Sequence, residues 1–182
     1  MKLLFVSDIH GSYYYAKKAI EAFKQEQCDH IICLGDILYH GPRNPLPKDY
    51  SPKEVAALLN QYKDKIMSVR GNCDSEVDQM MLEFPMLSDY THLFIDGHRF
   101  FVTHGHHYHE NQLPPLQEND ILVYGHYHVP LCKKVNGIYI LNPSSISLPK
   151  AGTNSYGVYE NHVFTIKDLD GNIVDSIHLE GE

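Results

Sequence analysis

The sequence predicts an α/β fold of two stacked β-sheets, a β-sandwich, flanked by α-helices. Short apolar runs in the first part of the chain alternate with stretches of helical periodicity, in the order βαβαβ. The second part instead has apolar runs separated by turn dipeptides such as Asn136-Gly137, which is typical of mostly antiparallel strands. A length of 182 residues suits one compact core, so we expect a single domain over residues 1–182.

In the first part, residues 3–6 and 30–34 are apolar runs that stop at polar residues, which predicts two buried strands. Ser12 is a suitable N-cap for the helix between them, whose apolar residues recur at helical spacing as far as Phe23. Four prolines in residues 37–52 exclude regular structure there and predict a surface loop or lid. The next predicted elements are a helix over 53–62, a strand over 66–69 and a helix from a cap at Ser75 to about residue 83.

In the second part, apolar runs on either side of Asp96-Gly97 and of Asn136-Gly137 predict two hairpins. A further apolar strand over 121–124 lies between them in the sequence. Beyond the second hairpin, the tail predicts strands over 156–159, 162–166 and 173–179.

Composition restricts the function. Hydrophobic residues make up 43% of the chain and charged residues 21%, which suits a globular protein and excludes a disordered one. The formal charge of −8 makes nucleic acid an unexpected duplex partner. No apolar run reaches the roughly 18 residues of a membrane helix, and the apolar start is too short for a signal peptide. With four cysteines and no Cys-x-x-Cys pair, we expect a reducing, cytoplasmic location and no membrane partner.

Thirteen histidines in so acidic a chain indicate metal ligation, acid–base chemistry or pH sensing. Polar clusters follow five of the predicted strands, and ligands of open α/β sheets bind outside the carboxyl ends of strands. Each cluster alone has an ordinary explanation, such as capping by Asp8 or a turn at Asp36, but five in succession indicate one shared site. The clusters are Asp8-x-His10, Gly35-Asp36, Gly71-Asn72-Cys73-Asp74, His104-Gly105-His106 and Gly125-His126-Tyr127-His128.

The candidate ligands in these clusters include two carboxylates, one amide and several imidazoles. This mixed oxygen and nitrogen set suits Mn, Fe or Zn better than Ca, which prefers oxygen alone. Seven side chains are too many for one tetrahedral zinc ion, yet enough for two ions that share a carboxylate. Two-metal sites catalyse in-line displacement at phosphorus.

The ordered motifs over residues 8–128 resemble those of the calcineurin-like metallophosphoesterase superfamily. Residues 41–44, 70–76 and 123–126 are similar to the small bacterial phosphodiesterases of the YfcE type. The resemblance implies the metallophosphoesterase fold and two divalent metal ions, with manganese expected first and Fe, Zn or Ni as alternatives. It assigns one ion to Asp8, His10, Asp36 and His128, and the other to Asp36, Asn72, His104 and His126, so that Asp36 bridges.

The resemblance also implies a reaction, the hydrolysis of a small phosphoester by a hydroxide held between the two metals. The charges of two divalent ions, two aspartates, one hydroxide and one diester monoanion sum to zero, which favours a phosphodiester over a monoester. A phosphomonoesterase or nucleotidase on the same site is the first alternative. The second is a non-catalytic scaffold, because a retromer subunit has this fold.

Five further residues are candidates around the predicted ligands. Many members of the superfamily carry His, paired with the following Asp as a general acid, where this chain has Cys73 and Asp74. A thiol could donate a proton to the leaving group, and packing alone is the alternative for Cys73. We take these two residues and His106 as catalytic candidates. Arg43, which could pair with phosphate, and His40 are candidates for substrate binding.

Two other segments carry expectations. Residues 142–145, Asn-Pro-Ser-Ser, resemble an Asn-Pro-Gly-Ser motif of the family, and we expect them to support the histidine loops through the backbone. Apolar and proline-rich stretches around 38–50 and 80–90 could form the interface of a homo-oligomer.

Overall fold

Two β-sheets account for the strands of the computed structural model, which describes residues 1–180. Within that range the strands are, in chain order, β1 (Leu3–Val6), β2 (His30–Cys33), β3 (Ile66–Ser68), β4 (Tyr90–Ile95), β5 (His98–Thr103), β6 (Ile121–Val123), β7 (Pro130–Val135), β8 (Ile138–Pro143), β9 (Ser155–Glu160), β10 (Val163–Asp168) and β11 (Ile173–His178). The first sheet has the order β11-β10-β9-β1-β2-β3, and the second has the order β4-β5-β6-β8-β7. The predicted α/β fold with two sheets is confirmed.

Three helices, α1 (Tyr13–Gln25), α2 (Pro52–Asn60) and α3 (Glu76–Met81), lie close to their predicted positions. The Ser12 side chain caps α1 by accepting a hydrogen bond from the Tyr15 N–H. Residues 63–65 add one 3₁₀ turn. Of the helices in residues 1–180, none is long and apolar enough to span a bilayer.

The alternation of side chains along β1 explains the layers. Leu4 and Val6 belong to the core beneath α1 and α2, whereas Leu3 and Phe5 belong to the core shared with the second sheet. In the second core Phe5 lies against Phe100 of β5, with ring centroids 6.3 Å apart. The helices therefore cover the outer face of the first sheet, and the two sheets face each other.

The centre of the second sheet differs from a simple row of hairpins. β4–β5 and β7–β8 are antiparallel, as their turn dipeptides predict. However, β5 pairs with β6 and β6 pairs with β8 in parallel. The tail strands β9 to β11 join the first sheet, next to β1. Turn dipeptides identify which strands form hairpins, but they do not specify which sheet receives them.

Parallel pairing places the functional loops. β1, β2 and β3 are mutually parallel neighbours in the first sheet, as are β5 and β6 in the second. Parallel strands end at the same edge of their sheet, so the loops that follow them are brought together. These loops carry the five polar clusters.

Candidate metal centre

In the first sheet, the loops after β1 and β2 continue to pair with each other. The Asp8 N–H donates to the Gly35 carbonyl at 3.1 Å, and the His10 N–H donates to the Asp36 carbonyl at 2.9 Å. This ladder holds Asp8, His10 and Asp36 side by side, and all three are buried.

In the second sheet, the loops after β5 and β6 are joined in the same way. The Gly125 N–H donates to the His104 carbonyl at 2.7 Å. The His126 N–H crosses to the first sheet and donates to Asp8 Oδ2 at 2.9 Å. Gly125 lies so close to Ser7 and Asp8 that a Cβ would overlap both of their side chains. The two sheets therefore meet at Asp8.

Five of the seven predicted ligands have a left-handed backbone, with φ between 51° and 62°. This conformation is uncommon for residues other than glycine and costs free energy, so the surrounding loops must enforce it. Such backbone strain is typical of functional sites. The five residues are Asp8, His10, Asp36, His126 and His128.

Backbone carbonyls orient three of the histidine rings. The Nδ1 atoms of His10, His104 and His128 lie 2.9, 2.7 and 2.6 Å from the carbonyl oxygens of residues 39, 34 and 148. Because each Nδ1 faces a carbonyl, it carries the proton of the neutral ring, and each Nε2 points at the centre, where it can hold either a second proton or a metal. This arrangement is the usual support for a metal-binding imidazole.

The donor atoms converge within a few ångströms. His128 Nε2 lies 3.1 Å from Asp8 Oδ1, and His104 Nε2 lies 3.3 Å from Asp36 Oδ2. His10 Nε2 lies between the carboxylates, 3.5 Å from Asp8 and 3.8 Å from Asp36. Three groups have donor atoms all within 4.8 Å of one another: Asp8, His10 and His128; Asp36, His104 and His126; and His10, Asp36 and Cys73.

Asn72 completes the set from the end of β3. Its Oδ1 lies 3.1 Å from His104 Nε2. The structure thus brings together all seven side chains that the sequence predicts as ligands. Their individual roles as ligands stay predictions.

The carboxylates and imidazoles perturb each other's ionisation. Burial opposes the charged form of Asp8, yet His104, His10 and His128 hold its pKa well below the ordinary value. Burial likewise opposes a charge on His104, but Asp8 and Asp36 raise its pKa to about 9. Burial and the neighbouring His104 lower the pKa of His126 to about 4. Without cations, protons on the imidazoles therefore balance the two buried carboxylates.

Divalent cations fit this site on the chemistry of its donors. Buried carboxylates need positive charge beside them, and the lone pairs that would bind a cation already face the centre. A cation bound there would replace the imidazole protons and satisfy the same carboxylates. The mixed oxygen and nitrogen donors suit a transition metal such as manganese, iron or zinc.

A cavity of about 360 Å³ opens beside the cluster. Arg43, a predicted substrate-binding residue, lines this cavity together with Asn44 and Cys73. Tyr127 and Lys150 also line it, and the sequence patterns did not single them out. Lys150 reaches the site because its N–H donates to the His128 carbonyl at 2.8 Å, a contact between distant segments that local patterns do not reveal.

His40 lies elsewhere. Its ring is packed between Tyr39 and Tyr50, with centroid distances of 4.8 and 5.2 Å, and it is not part of the cavity wall. Among the described residues, His40 Nδ1 has no hydrogen-bond partner. Its predicted role in substrate binding gains no support from this position.

The three catalytic candidates differ in position. Cys73 faces the cavity, and burial and Asp36 raise the pKa of its thiol to about 12. His106 lies beside His104, with ring centroids 5.4 Å apart, and burial and His104 lower its pKa to about 4. Asp74, expected as a partner of residue 73, instead turns away from the cavity.

Asp74 connects the loops that carry Asp36 and Asn72. Its carboxylate accepts hydrogen bonds from the N–H groups of Asp36, Ile37 and Gly71, at 2.8, 3.0 and 2.7 Å. Burial and the charge of Asp36 raise its pKa to about 6. Asp74 therefore positions the loops, a role that long-range contacts determine.

Residues 142–145 support the site as expected. Asn142 Nδ2 donates to the Gly125 carbonyl at 2.8 Å and so fixes the loop of His126 and His128. The Ser145 and Ser147 hydroxyls both donate to the Asp8 carbonyl at 2.8 Å. The role of Ser147 was not predicted from the sequence.

A second cavity, of about 590 Å³, lies between the β4–β5 turn and residues 117–120. Arg99 and Asp120 in its wall form an ion pair with each other. None of the predicted ligands lines it.

A cluster of imidazoles and carboxylates at the strand ends of a two-sheet sandwich is the arrangement that a metal-dependent hydrolase of phosphoesters requires. The profile of the calcineurin-like phosphoesterase superfamily domain matches residues 1–162, and the chain belongs to this superfamily. It is therefore an enzyme that hydrolyses phosphoester bonds, as the motifs indicate.

Particular relatives agree with this class. The chain is 46% identical to phosphodiesterase YfcE of Escherichia coli K12, over 93% of each chain. It superposes on the solved structure of YfcE, a phosphoesterase from E. coli, with a TM-score of 0.97 and 43% identity, covering 99% of this chain and 100% of the other. Phosphodiesterase MJ0936 of Methanocaldococcus jannaschii is 26% identical, over 88% of this chain and 93% of that relative.

Proposed function

We propose that this protein is a phosphodiesterase that acts on small phosphodiesters with two divalent metal ions, manganese first among them. The observation that carries the proposal is the convergence of two buried aspartates, four histidines and Asn72 beside a cavity with two cationic side chains, Arg43 and Lys150. The names of the relatives support the choice of a diester as substrate.

The ligand groups support the assignment of each ion. Asp8, His10, Asp36 and His128 would hold one ion, and Asp36, Asn72, His104 and His126 would hold the other. Bound there, the ions would supply an activated water and positive charge for the phosphoryl oxygens. Asp8 and Asp36 cancel only half of their charge, so the site attracts an anionic ester.

The side chains of the cavity would bind and orient the ester. Arg43 can pair with two phosphoryl oxygens at once, and Lys150 adds a second positive charge on the same wall. His106 stays uncharged near neutral pH and can accept or donate one hydrogen bond beside His104. Asp74 and Asn142 keep the ligand loops in place.

The test is a panel of monoesters and diesters with a matched p-nitrophenol leaving group, assayed with manganese. We expect kcat/KM to be higher for p-nitrophenyl methyl phosphate than for p-nitrophenyl phosphate. The reverse order would favour a phosphomonoesterase or nucleotidase. Two bound metals without hydrolysis of any ester would instead favour a scaffold.

Cys73 can be tested separately as the proton donor to the leaving group. If it does not act as an acid, esters with good leaving groups should be hydrolysed far better than alkyl esters. A Cys73→His variant then introduces a stronger acid at the same place and should flatten the dependence of log kcat on leaving-group pKa. An unchanged slope would count against an acid at this position.

A cytoplasmic location is also part of this proposal. The four cysteines are unpaired, which supports a reducing cytoplasm. A single domain and a homo-oligomer remain predictions.

A further inference from the structure

An apolar groove of about 580 Å³ lies beside the metal centre. We use the name apolar groove for the surface formed mainly by Leu38, Tyr39, Tyr50, Pro52, Val77 and Met81. Val77 and Met81 are 67% and 42% exposed, so apolar side chains of α3 face solvent here. A concave apolar surface of this size is typical of a binding site.

The groove has few charges. Lys53 and Asp78 lie in its wall. The Asp78 carboxylate already accepts hydrogen bonds from the Ser75 N–H and hydroxyl, at 2.7 and 2.9 Å. The groove therefore suits an apolar group better than a second anion.

The groove adjoins the reaction cavity. Cys73 lines both spaces. Its Sγ also belongs to a group of atoms from Cys73, His10 and Asp36 that all lie within 4.8 Å of one another. Tyr39 lines the groove with its ring, while its carbonyl oxygen lies 2.9 Å from His10 Nδ1. An ester whose phosphoryl group lies beside Asp36 and His10 is thus close enough to Cys73 for one of its substituents to reach the groove.

We propose that the apolar groove binds one apolar ester substituent of the substrate, so that the preferred substrates are phosphodiesters with an aryl group or an alkyl chain. This inference rests on the proposed phosphodiesterase function and specifies its substrate class. Phosphate then binds beside Arg43 and Lys150 in the polar cavity, and the apolar substituent passes Cys73 into the groove.

The experiment measures binding by calorimetry, because binding needs no turnover. Methyl-, butyl- and hexylphosphonate share one anionic head and cannot be hydrolysed at phosphorus. Complete burial of a methylene tightens binding by about fourfold. For a groove open on one side, we expect the Kd for the manganese-loaded protein to fall by about tenfold to a hundredfold from methyl to hexyl.

Two neighbouring variants provide the matched comparison. Met81→Asp places a charge in the groove and should reduce the advantage of hexyl over methyl to less than about threefold. Met80→Asp adds the same charge to the same helix, but Met80 is 84% exposed and is not part of the groove wall. This control should keep the full advantage. Equal melting temperatures verify that both variants fold.

Three results would overturn the inference. They are equal binding of all three phosphonates, no binding of hexylphosphonate, and equal loss in the two variants. One cause of equal binding would be a dimer in which a second copy of the chain covers the groove. Sedimentation velocity identifies this dimer, which Met81→Asp should dissociate and Met80→Asp should not. Hydrolysis of p-nitrophenyl methyl phosphate separates the two proposals. Activity with equal binding refutes the groove alone, whereas tighter binding of hexylphosphonate without hydrolysis of any diester refutes the phosphodiesterase function alone.

Discussion

Two clusters of buried or half-buried histidines lie in different regions of the molecule, and they differ in what faces their rings. At the metal centre, His104 Nε2 lies 3.3 Å from Asp36 Oδ2. At the other end of β5, His98 Nε2 lies 2.9 Å from His162 Nδ1, and each ring satisfies the other. The nearby Asp96 accepts instead from the Tyr159 hydroxyl, at 2.9 Å.

Ionisation follows from this difference. Asp8 and Asp36 raise the pKa of His104 to about 9 despite its burial. Burial and His162 lower the pKa of His98. One cluster therefore collects cations, whether protons or metals. In the other, a proton on His98 is disfavoured, and the pair joins the β9–β10 turn to the start of β5. The comparison teaches that carboxylates facing the imidazoles, rather than the number of histidines, mark the metal site.

The largest expected effect comes from the carboxylate shared by the two ligand sets. Asp36→Asn should lower kcat/KM for a p-nitrophenyl diester on the order of a thousandfold, because it removes charge at the reacting centre. Asp96→Asn, the equivalent change beside His98 and His162, should leave kcat/KM unchanged. Steady-state kinetics at saturating manganese test both. Equal activity of Asp36→Asn and the parent protein would contradict the claim that carboxylates facing the imidazoles mark the metal site.

The next effect concerns the stability of the metal-free protein. The raised pKa of His104 gives stability that is complete below pH 6.5 and is lost as the pH rises through about 9. Urea unfolding should show a loss of up to about 3 kcal/mol over this range.

Matched variants separate the two clusters. His104→Gln should remove most of the alkaline loss of stability, leaving the smaller contribution of His10, whose pKa Asp8 and Asp36 also raise, whereas His98→Gln should retain it. The lowered pKa of His98 has the opposite sign, and its contribution is lost only as the pH falls below 6.5. Bound manganese should abolish the alkaline loss, because it replaces the proton. A pH-independent free energy of unfolding in the metal-free parent would contradict this account.

A smaller effect is expected at the support of the histidine loop. Asn142→Ala removes the hydrogen bond to the Gly125 carbonyl and should weaken manganese affinity by about tenfold to a hundredfold. Asn154→Ala, which removes hydrogen bonds to the carbonyls of residues 146 and 147, is the control in the adjacent loop. Titration with a metal-sensitive dye gives both affinities. Equal losses of manganese affinity in the two variants would mean that any loosening of this region weakens metal binding, and that the hydrogen bond of Asn142 has no special role.

Local pattern predicted the strand ends and the residues that follow them. Asp8, Asp36 and His104 each come one residue after a short apolar run, and parallel pairing then brings them together. This step needs only the rule that parallel strands end at one edge of a sheet.

Residues that depend on distant contacts were not predictable in this way. Lys150 reaches the cavity through a hydrogen bond with His128, and Asp74 turns toward the backbone of the β2 loop. The ring of His40 is held by Tyr39 and Tyr50, one neighbour and one residue from the far end of a loop. The apolar groove likewise forms only when α3 packs beside the loop of residues 38–53.

The most direct test of the central claim is the metal content of the protein after reconstitution with manganese and removal of free metal. Mass spectrometry of the metal should give two equivalents per chain, with hydrolysis of p-nitrophenyl methyl phosphate by the same sample. In parallel, Asp36→Asn should lose metal and His98→Gln should keep both equivalents. One equivalent or fewer in the parent protein, or two equivalents in Asp36→Asn, would contradict the account.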